Sequence, residues 1–268
     1  MKQEIHIALV GNPNSGKSSL FNAFTGLKQR VGNFPGVTVD KKTGFCHLSE
    51  DVTARIIDLP GTYSLYPKRD DEWVSYKVLI DQDEHHKPDV FILVMDASNL
   101  KRNLLFCSQI IDLKRPVVIA LTMMDIAAKN NIKIDIQGLE RELGILIVPV
   151  NPRKGRGINL LKKAISQTLA HKEVIQNRDF VDIEAFAPEA IRELRNAVPG
   201  TTNYHAVHYL INHEKFNFSE DLQDQIEGIE KRNNFNHART QAEEIVQRYS
   251  KIKGIMKQTV VEEDPLKK

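Results

Sequence analysis

The most restrictive feature of the sequence is an eight-residue run, Gly-Asn-Pro-Asn-Ser-Gly-Lys-Ser, at residues 11–18. An apolar, strand-like stretch at residues 5–10 precedes it, and a helical pattern begins near Gly16. A glycine-rich turn in this position points backbone N–H groups inward, and the start of the helix adds partial positive charge. The run therefore predicts a loop that cradles a phosphate chain, rather than an ordinary glycine-rich turn.

The side chains of this phosphate loop have separate expected tasks around a nucleoside triphosphate. Lys17 would reach the terminal phosphates, and the hydroxyl of Ser18 would bind Mg²⁺. We therefore expect the chain to bind a nucleotide together with Mg²⁺. The loop residues predicted to contact the nucleotide are Gly11, Asn14, Ser15, Gly16, Lys17, Ser18 and Ser19.

The composition argues against several other classes of protein. The 268-residue chain has 37 basic and 35 acidic side chains, and its net charge of +2 argues against a dominant nucleic-acid-binding surface. Its apolar runs are far shorter than the roughly 20 residues of a spanning helix. No signal peptide is visible, so we expect a soluble chain. Cys46 and Cys107 both lie among apolar residues and are expected to be buried free thiols.

Short apolar runs alternate with helical patterns over residues 1–170. Because the runs are continuous, they indicate strands buried on both faces of a mostly parallel sheet. We therefore predict an α/β fold in which helices flank the sheet. The predicted strands cover residues 5–10, 54–58, 90–95, 117–121 and 146–150, and the predicted helices lie near residues 16–25, 73–82, 99–113, 135–143 and 157–170. The more polar stretch 39–48 is predicted as an edge strand, antiparallel to the next strand.

Strand signals stop near residue 172, where a polar linker begins. Four helical patterns follow, and the apolar stripe of the last consists of Ala238, Ala242, Ile245, Tyr249 and Ile252. We therefore predict a nucleotide-binding domain over residues 1–172 and a small all-helical domain over residues 173–262. Residues 263–268 are mostly charged, contain a proline and are expected to fray.

Three residues beyond the phosphate loop complete the predicted phosphate and Mg²⁺ site. Asp58 ends a predicted strand, and its carboxylate would hold Mg²⁺ through water. Gly61 follows in the run Asp-Leu-Pro-Gly, and its free N–H could approach the terminal phosphate. Thr38 ends a loop rich in Gly and Pro, and its hydroxyl is the candidate second Mg²⁺ ligand when the terminal phosphate is present. The alternative for Thr38 is an ordinary β-branched residue at the start of a strand.

A predicted base site follows the strand at residues 117–121. In proteins that bind guanine nucleotides, a carboxylate at the position of Asp125 accepts hydrogen bonds that only guanine can donate. The position usually held by Asn is here Thr122, which should weaken guanine binding by about tenfold at most. Asn151 and Pro152 occupy the second base-contacting loop but depart from its usual pattern. The alternative for Asp125 is an exposed helix N-cap.

Together these motifs make the first domain resemble a translation-factor-related small GTPase domain. The runs Asn-Pro-Asn-Ser, Gly-Asn-Phe-Pro-Gly-Val-Thr, Asp-Leu-Pro-Gly-Thr-Tyr-Ser-Leu and Thr-Met-Met-Asp narrow the resemblance to FeoB, the bacterial ferrous iron transport protein B family, and to its cytosolic N-terminal part. The resemblance implies a P-loop small-GTPase-like fold. It also implies a switch domain that binds GTP and GDP, hydrolyses GTP and regulates ferrous iron uptake.

The resemblance also implies partners and a location. In the family, this part precedes a polytopic membrane domain, and the helical part is thought to favour the GDP-bound state. The chain would then be an isolated soluble portion at the cytoplasmic face of the bacterial inner membrane. Its tail would lead to the membrane-embedded portion of the same transporter. Whether the chain forms homo-oligomers stays open.

Two features bear on the rate of hydrolysis. Many related proteins place a Gln after Asp-x-x-Gly to orient water, whereas this chain has Thr62, so we expect slow intrinsic turnover. The resemblance suggests that K⁺ supplies the missing positive charge, bound by Asn14 and by the carbonyls of Gly32 and Phe34. The residues expected to serve catalysis are Lys17, Thr38, Asn14 and Gly61.

Two other functions remain as alternatives at this point. A ribosome- or RNA-associated GTPase would be expected to carry a basic appended domain, whereas residues 175–268 are mildly acidic. A P-loop ATPase is kept open by Thr122. We expect no nucleic-acid partner.

Overall fold

The computed structural model describes residues 3–26, 29–32, 41–80, 88–171 and 179–262. The chain divides into two compact units, one of residues 1–178 with 252–268 and the other of residues 179–251. The first unit is an α/β structure, and the described part of the second is helical. The domain boundary near residue 172 stays a prediction.

The strands of the described residues are β1 (Gln3–Gly11), β2 (Gln29–Gly32), β3 (Lys41–His47), β4 (Val52–Asp58), β5 (Val90–Asp96), β6 (Val117–Thr122), β7 (Ile132–Ile134), β8 (Ile147–Pro149) and β9 (Val260–Glu262). Seven of them form one sheet in the order β2-β3-β4-β1-β5-β6-β8. The five strands β4, β1, β5, β6 and β8 are parallel to one another, which confirms the predicted mostly parallel sheet.

The edge of this sheet differs from the prediction. β3 pairs antiparallel with β4, as expected, but it is not an edge strand because β2 pairs with its other side. β2 has only four residues, two of them the polar Gln29 and Arg30, so no apolar pattern announces it. β4 is therefore the third strand from this edge of the sheet, whereas the prediction made it the second.

The helices of the described residues are α1 (Lys17–Thr25), α2 (Asp70–Ile80), α3 (Leu100–Asp112), α4 (Met124–Lys129), α5 (Ile136–Leu143), α6 (Ile158–Ala170), α7 (Pro188–Ala197), α8 (Asn203–Asn212), α9 (Glu220–Arg232) and α10 (His237–Thr259). Leu20 and Phe21 of α1 and Leu161 and Ile165 of α6 are buried in one core cluster with the strands. Packing of this kind brings the ends of β1, β4 and β6 to one edge of the sheet, where parallel strands place ligand sites.

The first unit also contains a two-stranded ribbon that the sequence pattern did not reveal. β7 pairs antiparallel with β9, and the N–H of Asp135 donates to the carbonyl of Thr259 at 2.7 Å. Each strand has three residues, and their pairing joins parts of the chain that are far apart in sequence. Within the described residues, no helix is both long enough and apolar enough to cross a membrane.

Up to Arg248 the inward face of α10 is polar, so the predicted apolar stripe along this helix is wrong except at its last member, Ile252, which is buried. Tyr249 is exposed, whereas Glu244 and Arg248 are fully buried. The carboxylate of Glu244 accepts hydrogen bonds from Arg248 Nε at 2.6 Å and from the hydroxyl of Tyr204 at 2.9 Å. A buried charged pair with such partners can replace apolar packing, which hydrophobic periodicity cannot detect.

The buried charge of Arg248 affects a neighbouring histidine. Burial, with a smaller contribution from Arg248, lowers the pKa of His208 from 6.5 to about 3.

The two cysteines are buried and free, as predicted. Burial raises the pKa of Cys46 to about 11 and that of Cys107 to about 12, so neither thiol is activated as a nucleophile.

Candidate functional site

The phosphate loop is closely packed against the neighbouring strand. A Cβ atom on Gly11 would lie 2.5 Å from the carbonyl oxygen of Val94, so only glycine fits there. Gly16 has a φ of 90°, and Asn14 adopts the left-handed conformation with a φ of 64°. The sequence thus forms a tight turn at the end of β1, directly before α1.

An open cleft of about 620 Å³ lies beside this loop. Its volume is in the range of pockets that bind small molecules and cofactors. The residues that line it are Asn12, Pro13, Asn14, Gly16, Lys17, Ser18, Ser19, Gly61, Arg69, Asp71, Met123 and Arg153. The cleft therefore brings together six of the predicted phosphate-loop and switch residues.

Lys17 and Asp58 form an ion pair in the wall of this site. The distance from Lys17 Nζ to Asp58 Oδ1 is 2.6 Å, and the two side chains are only 11% and 8% exposed. Asp58 ends β4, and Lys17 begins α1, so the parallel pairing of β1 with β4 places them side by side. The pair neutralises the cation that was predicted to bind phosphate.

The oxygen atoms available near this pair suit Mg²⁺. This ion prefers hard oxygen ligands and usually keeps several waters. Ser18 contributes a hydroxyl and Asp58 a carboxylate, and this chemistry fits the predicted site. Among the described residues, no group of three His, Cys, Asp or Glu side chains could hold a metal ion, but this kind of Mg²⁺ site needs only one carboxylate. Thr38 and Phe34 lie outside the described residues, and Gly32 is the last residue of β2.

The second switch, which we define as residues 59–66, lies against the phosphate loop. A Cβ on Gly61 would lie 2.9 Å from the backbone nitrogen of Pro13, and the N–H of Thr62 donates to the carbonyl of Gly11 at 3.2 Å. The hydroxyl of Thr62 donates to the carbonyl of Ser64 at 2.8 Å. The hydroxyl of Thr62 is thus engaged within its own turn.

Two residues of α3 contact the second switch, and no sequence motif marked either of them. Gln109 accepts a hydrogen bond from the N–H of Leu65 at 2.8 Å. The guanidinium carbon of Arg102 lies 3.8 Å from the ring centroid of Tyr63. The partners are about 40 residues apart in sequence, so no local pattern could indicate them.

Arg69, three residues beyond the second switch, also lines the cleft. Arg69 Nε lies 3.6 Å from Asp71 Oδ1, and Arg69 Nη2 lies 3.2 Å from Glu72 Oε1. The side chain of Arg69 is 58% exposed. Glu72 also accepts from the N–H of Lys68 at 2.8 Å. The acidic residues at the start of α2 thereby hold this guanidinium in ion pairs.

Thr122 is buried behind the phosphate loop. Its hydroxyl lies 2.7 Å from the carbonyl oxygen of Ser15 and 3.0 Å from that of Met95, and the residue is 1% exposed. This hydroxyl therefore connects β6 to the phosphate loop.

Asp125 is exposed in the first turn of α4, and Met123 is the N-cap residue, so the alternative of Asp125 as the N-cap is wrong.

The loop after β8 is organised by Asn151. Its Oδ1 accepts a hydrogen bond from the N–H of Lys154 at 3.2 Å, and Pro152 begins a short 3₁₀ turn. Arg153 follows and lines the cleft. The loop thus approaches the site, with Asn151 shaping its backbone.

Comparison with known proteins identifies relatives of the chain. A family model described as ferrous iron transport protein B matches residues 5–165. The chain is 44% identical over 171 residues to the Fe(2+) transporter FeoB of Leptospira biflexa, which covers 64% of this chain and 24% of that protein. It is also 44% identical over 177 residues to FeoB of Escherichia coli K12, at 64% and 22% coverage. The chain therefore spans about a quarter of the length of these curated relatives.

Solved structures resemble nearly the whole chain. The cytosolic domain of L. pneumophila FeoB matches with a TM-score of 0.75 and 32% identity, covering 96% of this chain and 99% of that one. The cytosolic domain of T. maritima FeoB in a GDP form matches with a TM-score of 0.75 and 29% identity, at 97% and 100% coverage. The predicted P-loop GTPase-like fold is thereby confirmed. Since the family model matches more than half of its residues, this chain belongs to the ferrous iron transport protein B (FeoB) family.

Proposed function

We propose that this chain is a GTP-binding and GTP-hydrolysing switch domain that regulates ferrous iron uptake. The observation that carries the proposal is the buried pair of Lys17 and Asp58 in the wall of the phosphate-loop cleft. Related FeoB domains of known structure lend support, since one from S. thermophilus is bound to GDP and one from T. maritima is in a GMPPNP form.

Binding would redistribute the charges in the cleft. An entering phosphate chain draws Lys17 away from Asp58, because it offers the ammonium several anionic oxygens in place of one carboxylate. The released carboxylate of Asp58 would then hold Mg²⁺ through a water, and the hydroxyl of Ser18 would bind the ion. We propose Thr38 as the second hydroxyl ligand in the triphosphate state. When bound, Mg²⁺ neutralises negative charge on the phosphate oxygens.

The outermost phosphate would be sensed by the second switch. Gly61 has no side chain, so its backbone can stay against Pro13 and direct its N–H to the terminal phosphate. A backbone donor held in this way stabilises the charge that develops in the transition state. Thr62 lacks the long amide side chain that orients water in related proteins, and its hydroxyl donates to the carbonyl of Ser64. Both features favour slow intrinsic hydrolysis.

Guanine selectivity would depend on Asp125. Its exposed carboxylate at the start of α4 can accept two hydrogen bonds from guanine, which adenine does not donate in that pattern. Thr122 would support this site by fixing the phosphate loop to β6. Asn151 and Pro152 would place the second loop at the edge of the base. The proposed nucleotide contacts are those named from the sequence, including Ser15, Ser19 and Gly11 of the loop.

We also propose that K⁺ accelerates hydrolysis. Asn14 is exposed, lines the cleft and adopts a left-handed backbone conformation. Together with the carbonyls of Gly32 and Phe34, the side chain of Asn14 would hold K⁺ beside the phosphates. A cation there would stabilise the negative charge of the transition state, as an arginine does in other enzymes. Lys17, Thr38, Asn14 and Gly61 form the proposed catalytic set.

The wider role follows from the family. We propose that residues 1–172 form the GTP-binding domain, that residues 173–262 favour the GDP state, and that residues 263–268 lead toward a membrane-embedded portion of the transporter. The domain would then act at the cytoplasmic face of the inner membrane.

Phosphate release from GTP and from ATP, measured with Mg²⁺ in K⁺ and in Na⁺ buffers, tests the proposal. We expect slow release from GTP, faster in K⁺, and none above background from ATP. Asn14→Ala should equalise the rates in the two buffers, whereas Asn212→Ala, in the helical unit, should leave the K⁺ effect unchanged. Equal turnover of ATP and GTP would contradict the proposed specificity, and equal rates in K⁺ and Na⁺ would contradict the role of K⁺.

A further inference from the structure

Helix α3 supports the second switch through two side chains on one face. Arg102 and Gln109 are seven residues apart, which is about two helical turns, so they lie on the same side of the helix. Arg102 stacks on the ring of Tyr63 at 3.8 Å, and Gln109 accepts from the N–H of Leu65 at 2.8 Å. The two contacts flank Ser64 on either side.

The other end of the second switch is attached to the phosphate loop. The backbone N–H of Thr62 donates to the carbonyl of Gly11 at 3.2 Å, and the backbone of Gly61 lies against that of Pro13. The segment that carries Gly61 is therefore held between two supports, the phosphate loop and α3. Its orientation toward a terminal phosphate depends on both.

Structural stability alone does not account for the burial of Gln109. The side chain is fully buried, and its Nε2 has no hydrogen-bond partner among the described residues. A buried donor without an acceptor lowers stability. Asn103, also buried on α3, shows the usual arrangement: its oxygen accepts from the N–H of Asp96 and its nitrogen donates to the carbonyl of Asn99. The contact with Leu65 is what distinguishes Gln109 from an apolar residue of the same size.

We propose that Arg102 and Gln109 are positioning residues for hydrolysis, which hold the second switch so that the N–H of Gly61 faces the terminal phosphate. This inference rests on the proposed function. Neither residue is among the described residues that line the cleft, so both would act through their contacts with Tyr63 and Leu65. A donor that is fixed before the reaction stabilises the transition state without reorganisation. Loosening the segment should therefore slow hydrolysis and leave GDP binding unchanged, since GDP lacks the terminal phosphate.

Gln109→Met tests one of the two contacts. Methionine fills a similar volume without the carbonyl that accepts from Leu65. We expect kcat for GTP to fall by about 2- to 10-fold, the range that the loss of one neutral hydrogen bond gives. The Kd for GDP, the KM for GTP and the thermal unfolding temperature should stay close to those of the wild type.

A matched control for this variant is Ser108→Ala. Ser108 is the adjacent buried polar residue of α3, and its hydroxyl donates to the carbonyl of Leu105 within the helix. It should retain the wild-type kcat. A lower unfolding temperature for Gln109→Met, together with an unchanged kcat for the folded protein, would show a structural role only and would overturn the proposal for Gln109.

The ring contact is tested by a double-mutant cycle. We expect Arg102→Met and Tyr63→Leu each to lower kcat by about 2- to 5-fold, as expected for an exposed cation–π contact. The double variant should be no slower than either single variant, since both remove the same contact. Tyr63→Phe keeps the ring and should keep the wild-type kcat, and so should Lys101→Met, which removes the neighbouring cation. Additive losses, or a Tyr63→Phe variant as slow as Tyr63→Leu, would overturn the proposal for Arg102.

The wild-type protein separates this proposal from the proposed function. If the wild type neither binds nor hydrolyses GTP, the function and the positioning roles both fail. If the wild type hydrolyses GTP and the variants of α3 retain its kcat, the positioning roles alone fail.

Discussion

The ammonium of Lys17 lies 2.6 Å from the carboxylate of Asp58, and both side chains are largely shielded from water. One residue begins the helix after the phosphate loop, and the other ends the neighbouring parallel strand. In the proposed function, one of these residues binds phosphate and the other binds a Mg²⁺ water. Their pairing therefore links phosphate binding to Mg²⁺ binding, because phosphate must separate Lys17 from Asp58 before the carboxylate of Asp58 can hold a water of Mg²⁺.

Asp58→Asn should separate these two tasks. The amide keeps the shape but not the charge, so Lys17 becomes available to phosphate without competition. In EDTA, we expect GDP to bind roughly tenfold more tightly than to the wild type, about the value of one charged hydrogen bond. Added Mg²⁺ should then improve binding less than it does for the wild type. Fluorescence titrations with and without Mg²⁺ measure both effects, and Asp224→Asn in the other unit is the control. Weaker binding in EDTA would show that the pair does not oppose the nucleotide.

Gly61→Ala should affect the triphosphate state more than the diphosphate state. The added methyl would lie 2.9 Å from the nitrogen of Pro13, so the second switch must move away from the phosphate loop. We expect kcat for GTP to fall by roughly 100-fold, as for the loss of one preorganised donor, with GDP affinity nearly unchanged. Gly254→Ala is the matched control, since a Cβ there meets no atom within 4 Å. An unchanged kcat for Gly61→Ala would remove the proposed role of its N–H.

Thr122→Asn should tighten guanine binding. The present hydroxyl has one proton to share between the carbonyls of Ser15 and Met95, whereas an amide has two N–H groups. We expect the Kd for GDP to fall by up to about tenfold, and Thr122→Val, which removes the donor, to raise it. Calorimetric titration of the three proteins checks the order. Identical affinities would mean that the base site is built without this position.

The helical unit should lose stability in mild acid because of His208. Its pKa is lowered to about 3 by burial and by Arg248, so the unfolded chain binds the proton more readily than the folded one. The contribution is complete above pH 6.5 and is lost as the pH falls from 6.5 toward 3, with a slope of at most about 1.4 kcal/mol per pH unit.

Denaturant unfolding at several pH values between 7 and 5 measures this slope. His208→Phe should unfold with a smaller dependence on pH than the wild type, whereas His171→Gln, at an exposed position, should not change it. Equal slopes for the wild type and His208→Phe would show that His208 does not titrate as the structure implies.

The sequence predicted those features that local patterns encode. Continuous apolar runs indicate buried parallel strands, and the phosphate loop needs glycine at Gly11 because Val94 leaves no room for a side chain. The buried face of α10 was mispredicted, because Glu244 and Arg248 satisfy each other inside the helical unit. Periodicity treats such charges as exposed.

Other features could not be predicted because they depend on contacts between distant parts of the chain. β2, β7 and β9 are three or four residues long and are defined by their pairing. The contacts of Arg102 and Gln109 with the second switch likewise become visible only when α3 lies beside it. The site motifs were readable in sequence, and the residues that support them were not.

The most direct test of the account is a calorimetric titration of the wild-type chain with GDP and with GMPPNP in the presence of Mg²⁺. We predict saturable binding of both nucleotides below millimolar concentration, and at least about tenfold weaker binding to Lys17→Met. Lys163→Met, which removes an exposed cation of α6, should bind like the wild type. No binding of either nucleotide at millimolar concentration would contradict the account.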